Sequence, residues 1–284
     1  MKRNLMNSSI KFCDITLRDG LQSLKYIMPT KEKIKLADYI YHTYRPFAME
    51  IGSIVSSKIL PQFEDSIEIF KHCKNNKFST ELYMLTPNTY ALEKAKIAGV
   101  KNFAFITSVS DAFQLKNTNK TIDENRIELT NMYKMLEKDD TVKIYISCID
   151  ECPIKGKIPL DDLIFQLYFY LYNFSHVNEI CLSDTCGTLN ENTFNEIIND
   201  LKGNIDFSQL SLHLHKSKTN SAELFKIIDI AKNNNINRFD VSAIDNIGGC
   251  SVSIKDKLPS NIHYKDIDEE YDFYKKYMDI SNRN

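Results

Sequence analysis

His213 and His215 are separated by one leucine, and residues two apart on a strand face the same side. Both imidazoles can therefore turn toward one cation. A carboxylate from elsewhere would add a hard oxygen, giving a donor set suited to Mg²⁺ or Mn²⁺, with Zn²⁺ also compatible. Asp19 is the candidate, because the order of elements set out below brings it close. The histidines can equally be hydrogen-bonded rim residues, and the pair alone does not separate the two readings. Arg18, next to Asp19, is a fixed cation able to stabilise an enolate or carboxylate oxygen, or else to form a rim salt bridge with Glu50 or Asp184. Those two acids are candidate proton-transfer groups, or they merely orient Arg18. Cys250 follows Gly248 and Gly249, whose backbones can turn tightly. A thiol on such a loop can carry a proton, or it can be inert.

Short apolar runs alternate with amphipathic ones along the whole chain. Strands are expected at 11–17, 47–51, 81–85, 102–109, 142–149, 179–182, 210–215 and 238–242. Helices are expected at 31–42, 62–73, 89–97, 124–136, 161–172, 192–201, 222–232 and 268–278, with Gly99 ending the third and Thr121 to Asp123 opening the fourth. Strands that alternate with helices make parallel βαβ units. At this length they favour an α/β fold of the closed (β/α)₈ TIM-barrel type, one catalytic domain over 8–284 with a short C-terminal helical extension. Such barrels place their chemistry at the C-terminal ends of the strands. Asp19 then lies at the end of the first strand, Glu50 at the second, Asp184 at the sixth and the two histidines at the seventh. In a closed barrel only the eighth strand separates the seventh from the first.

Composition narrows the classes further. The 284 residues are 43% hydrophobic, with 36 Lys and Arg against 38 Asp and Glu. That is too apolar for a disordered chain and lacks the cationic excess of most nucleic-acid binders. No apolar run approaches the roughly 20 residues that span a bilayer. No phosphate-loop or dinucleotide glycine pattern is present. The seven cysteines, odd in number and mostly in apolar runs, point to reduced thiols. Cys148 and Cys152 read as buried thiols, not as zinc ligands. With no secretory signal or peroxisomal tripeptide, the expected location is cytoplasmic, with no membrane and no nucleic-acid partner.

Leu17-Arg18-Asp19-Gly20-Leu21-Gln22 resembles the opening signature of the metal-dependent lyase and Claisen-condensing barrel superfamily, and most closely its hydroxymethylglutaryl-CoA lyase branch. Supporting stretches are Lys25, Lys31 to Leu36, Val55-Ser56, Lys58 with Pro61-Gln62, and Leu85 to Asn88. Tyr145 to Cys148, Cys152-Pro153, Gly156 to Ile158, Asp184-Thr185, His213 to His215 and Gly248 to Cys250 complete the likeness. The resemblance implies a divalent metal held by Asp19, His213 and His215. It implies an enolate-stabilising Arg18, a proton-transferring Cys250, and Glu50 and Asp184 in the catalytic shell. Gln22 and Lys25 would contact an acyl-CoA or hydroxy-acid substrate. The family's fourth ligand is an Asn, and its spacing from the loop Cys falls on Pro259 here. A two-residue insertion would bring Asn261 into place. The implied reaction is retro-aldol cleavage of a 3-hydroxyacyl-CoA to acetyl-CoA and acetoacetate, and the resemblance also implies a homodimer. After the second histidine the family carries an acidic residue and a downstream Gly, where Lys216-Ser217-Lys218 follow here, and the C-terminal segment is short. These departures keep other aldol and condensing activities, and a non-catalytic barrel, as alternatives.

Overall fold

The computed structural model describes residues 10–174, 177–217, 220–249 and 259–268. The barrel strands are β1 (Lys11–Asp14), β2 (Ala48–Ser53), β3 (Glu81–Leu85), β4 (Asn102–Ser108), β5 (Thr141–Ser147), β8 (Val177–Ser183), β9 (Leu210–His213) and β11 (Arg238–Val241). All pair in parallel and close in the order β1-β11-β9-β8-β5-β4-β3-β2, as the alternation of elements requires. The connecting helices are α1 (Thr30–Tyr44), α2 (Ser66–Asn75), α3 (Thr89–Ile97), α4 (Asp111–Thr118), α5 (Ile122–Lys134), α6 (Leu160–Asn173), α7 (Glu191–Leu201) and α8 (Ser221–Asn233). Each buries an apolar stripe: in α7, Phe194, Ile197, Ile198 and Leu201 recur at helical spacing and are buried. The Thr121 hydroxyl accepts from Glu124 N–H and Glu124 bonds back, a capping box that starts α5 where the sequence suggests.

Several boundaries differ from expectation for local reasons. The first strand stops at Asp14, whose carboxylate accepts from Thr16 N–H at 2.9 Å, and the chain then winds through one wide turn at Thr16–Gly20. The seventh strand stops at His213. His215 and Lys216 leave the barrel as β10 and pair antiparallel with β12 (Ser260–Asn261). The expected 62–73 helix is a short turn at Pro61–Phe63 followed by α2. Helix α4 and the small hairpin of β6 (Glu151–Cys152) and β7 (Gly156–Lys157) are additions that periodicity does not reveal. The short helix α9 (Tyr264–Ile267) ends at Asp268, and the rest of the expected 268–278 helix lies outside the described residues. Cys148 and Cys152 are free and buried, and the Cys152 sulfur accepts from the Ser110 hydroxyl at 3.0 Å. Among the described residues no helix is long and apolar enough to cross a membrane.

Candidate functional site

The wide turn after β1 builds the first wall of the site. The Ile15 carbonyl accepts from Arg18, Asp19 and Gly20 N–H at 3.2, 2.9 and 3.1 Å, which curls the chain over the barrel mouth. Arg18 is thereby clamped: Nε donates to Glu50 Oε2 at 2.8 Å and an Nη to Asp19 Oδ1 at 2.6 Å. Its guanidinium lies 5.1 Å over the Tyr145 ring. The other Asp19 oxygen accepts from Gly249 N–H at 3.1 Å and Asn261 Nδ2 at 2.9 Å. Burial alone would raise the Asp19 pKa, but Arg18 and the two nearby imidazoles hold it at about 2. It is therefore an anion throughout the working range.

Ligand atoms of Asp19, His213 and His215 lie within 4.8 Å of one another. The histidine rings meet edge to face with centroids 4.7 Å apart. His215 Nδ1 sits 2.7 Å from the Asp184 carbonyl, which can only accept, so this nitrogen carries the proton and Nε2 presents a lone pair. Burial, then the neighbouring His213, pushes the His215 pKa down to about 4, so the ring is neutral at pH 7. His215 Nε2 and Asn261 Oδ1 are both buried and have no hydrogen-bond partner. Orphaned buried lone pairs are costly. Two of them beside a permanent carboxylate fit a hard divalent cation, with His213, His215, Asp19 and Asn261 as the donors.

Asn261 arrives because β12 pairs with β10 in the register His215 to Asn261, and because Asn261 N–H bonds the Ile247 carbonyl at 3.0 Å. A Cβ on Gly248, whose φ is +82°, would fall 2.0 Å from Asn261 Nδ2. Gly248 thus lets the loop lie against the asparagine, and neither its backbone nor its space suits another residue. Cys250, next along, lies outside the described residues, as does Lys218.

The remaining expected residues divide. Gln22 lines the cavity of about 770 Å³ that opens from Asp19 and the histidines across the barrel mouth. Lys25 is exposed and is not part of that lining. Glu50 is buried behind Arg18 with Oε1 unpartnered, and burial raises its pKa against the pull of Arg18. The Asp184 carboxylate accepts from Thr188 and Leu189 N–H at 3.1 and 3.3 Å, closing its own turn instead of facing the cavity. Asp184 touches the site through its backbone carbonyl, which orients His215. Lys216 does not point at the centre either: Nζ pairs with Asp266 at 2.6 Å and Asp245 at 3.2 Å.

Residue typing alone misses a charged layer inside the barrel. Lys143 pairs with Asp240 and, at 3.1 Å, with Glu179, which in turn takes Arg238 at 2.8 Å. The Tyr145 hydroxyl lies 2.7 Å from Asp240 Oδ2 and 3.1 Å from Glu50 Oε2. His213 Nδ1 is 3.3 Å from Asp240 Oδ2, near enough for charge attraction though without hydrogen-bond alignment. Burial opposes the Asp240 charge, yet Lys143 and His213 hold its carboxyl well below the usual range. The signal lay in the alternation Lys143, Tyr145, Ser147 and Glu179, Cys181, Ser183: polar residues on the face that points into the barrel.

Comparison with known proteins identifies the family and supports the fold. A family model described as HMGL-like matches residues 9–242. Hydroxymethylglutaryl-CoA lyase, mitochondrial, of Bos taurus is 32% identical over 208 residues, 72% of this chain and 62% of that protein. The cytoplasmic 3-hydroxy-3-methylglutaryl-CoA lyase of Danio rerio is 29% identical over 248 residues, 85% of this chain and 70% of its own length. The match to the bovine relative thus spans less than two thirds of that protein. The crystal structure of the Bacillus subtilis HMG-CoA lyase superposes with a TM-score of 0.82 at 25% identity, covering 94% of this chain and 86% of the other.

Proposed function

The chain belongs to the HMGL-like family, and from that premise we propose that it is a carbon–carbon lyase that cleaves hydroxymethylglutaryl-CoA to acetyl-CoA and acetoacetate. The observation that carries this reading is the convergence of Asp19, His213 and His215 within 4.8 Å beside the clamped Arg18. The names of the bovine and Danio rerio relatives supply the substrate. A Mg²⁺ or Mn²⁺ ion held by Asp19, His213, His215 and Asn261 would acidify the substrate hydroxyl and draw charge onto its oxygens.

The chain's own groups do the rest. The hydroxyl proton leaves to a base, and its electron pair forms the new ketone as the bond to the thioester-bearing carbon breaks. That bond's electrons become the enolate of acetyl-CoA. Arg18 is rigid before reaction, because Glu50 and Asp19 fix two faces of its guanidinium, so it can meet the developing oxyanion without rearranging. Glu50, buried behind Arg18, holds the guanidinium in place. Cys250 returns a proton to the enolate carbon. The outward pairing of Lys216 supports the catalytic reading over a non-catalytic barrel. The reading also carries the cytoplasmic location in the Danio rerio protein's name, and a homodimer.

Purified protein with hydroxymethylglutaryl-CoA and Mn²⁺ or Mg²⁺ tests the proposal. Acetoacetate and acetyl-CoA should form in equal amounts, and chelation should stop turnover. Folded protein without turnover, alongside cleavage of a 4-hydroxy-2-oxo acid, would overturn the substrate.

A further inference from the structure

Lys216 follows His215 directly, where a positive charge should oppose a bound cation by Coulomb repulsion. Its two ion pairs give it another part. Nζ lies 2.6 Å from Asp266 Oδ2 and 3.2 Å from Asp245 Oδ1. The second Asp245 oxygen takes Lys265 Nζ at 2.7 Å, and Asp266 Oδ2 also accepts His263 N–H at 2.7 Å. The four side chains are only 18–31% exposed. An isolated surface pair contributes little, but a partly shielded network of alternating charges holds geometry.

What the network joins is the important point. Lys216 is on β10, one residue from His215. Asp245 is in the loop that leads to Gly248 and Gly249, and Gly249 N–H bonds Asp19. Asp266 and Lys265 are on α9, just after Asn261. The same three segments are tied by backbone through the His215 to Asn261 pairing and the Asn261 N–H to Ile247 bond. Side chains and backbone therefore close one clamp around the two orphaned lone pairs, His215 Nε2 and Asn261 Oδ1.

We infer that Lys216 is a positioning residue for the metal centre: by pairing with Asp245 and Asp266 it draws β10, the glycine loop and α9 together and sets His215 and Asn261 toward Asp19. This rests on the reading of those residues as metal ligands. The two possible influences of Lys216 have opposite signs, which makes the inference testable. Were its charge all that mattered, Lys216→Met would relieve repulsion and tighten metal binding. If it positions the ligands, the same change weakens binding.

The experiment is a Mn²⁺ titration of the full chain, reading free Mn²⁺ by electron paramagnetic resonance, with far-UV circular dichroism as a folding check. Lys216→Met should weaken Mn²⁺ binding by about tenfold. Lys216→Arg, which keeps both pairs, should stay near wild type. Asp245→Asn breaks one arm while leaving the Lys216–Asp266 pair, so it should weaken binding by a smaller factor. It decides the matter if the Met variant does not fold. Unchanged or tighter binding by the variants, with a wild type that binds Mn²⁺, would overturn this inference alone. A wild type that binds no Mn²⁺ would overturn the metal reading and this inference with it.

Discussion

Lys143→Met probes a charge buried inside the barrel. Its side chain is 2% exposed and lies between Asp240, fully buried, and Glu179 at 3.1 Å. Methionine keeps most of the stem's packing and deletes the charge. Glu179 retains Arg238 at 2.8 Å, but Asp240 keeps the Tyr145 hydroxyl at 2.7 Å, the weakly donating Cys181 thiol at 3.8 Å and the poorly aligned His213. Removing one partner of a buried pair costs about 3–5 kcal/mol. That is a large part of the 5–15 kcal/mol typical of whole domains. The deficit must also depend on pH. In the wild type the Asp240 pKa is depressed, so its contribution is present at neutral pH and lost as the pH falls through the folded-state value. Without Lys143 the carboxyl is destabilised as an anion and its folded pKa rises, so the variant gains stability on acidification. Urea unfolding at pH 7.5 and 5.5 should show a gap to wild type that narrows at the lower pH. The double variant with Asp240→Asn should recover part of the loss. A deficit below about 1 kcal/mol, or one indifferent to pH, would refute the claim that this layer is an interdependent charge network.

Replacing Arg18 by either Gln or Lys should lower turnover by about 10²–10³-fold at saturating metal, because an ammonium cannot make both the Glu50 and the Asp19 contacts. Retention of activity by Lys within tenfold would remove the clamped guanidinium from the account. Asp14 behaves in the opposite sense to Asp240. Burial, opposed by the Thr16 N–H and the Tyr264 hydroxyl, raises its pKa from 3.8 to about 6. Its contribution is thus fully present below pH 3.8 and is lost as the pH rises through 6, on the order of 3 kcal/mol at most. Thermal melts should show Asp14→Asn more stable than wild type at pH 8 and losing that advantage toward pH 4. A constant difference between the two proteins would contradict this.

Most of the barrel is legible in the sequence because eight apolar, β-branched runs alternate with amphipathic ones, and parallel pairing in a closed sheet is nearly the only use for that pattern. What escapes is set by single hydrogen bonds. Nothing in the apolarity of Ile15 and Leu17 says that the Ile15 carbonyl will gather three N–H groups and end the strand early. His215 continues the strand pattern, yet it leaves the barrel because Asn261, far along the chain, offers it an antiparallel partner. Asp184 and Asp19 look alike at their strand ends. The first spends its oxygens on its own turn, while the second reaches across the mouth. Lys143, Glu179 and Asp240 resemble interruptions of apolar strands, and only the two-residue alternation shows that they point inward and meet.

The direct test of the centre is a crystal soaked in Mn²⁺ and measured at an anomalous wavelength. One strong peak should appear among Asp19, His213, His215 and Asn261, within bonding distance of about 2.0–2.3 Å, and it should be absent from an Asp19→Asn crystal treated identically. Saturating Mn²⁺ with no peak there, or a peak that persists without the Asp19 carboxylate, would contradict the metal centre on which the catalytic account stands.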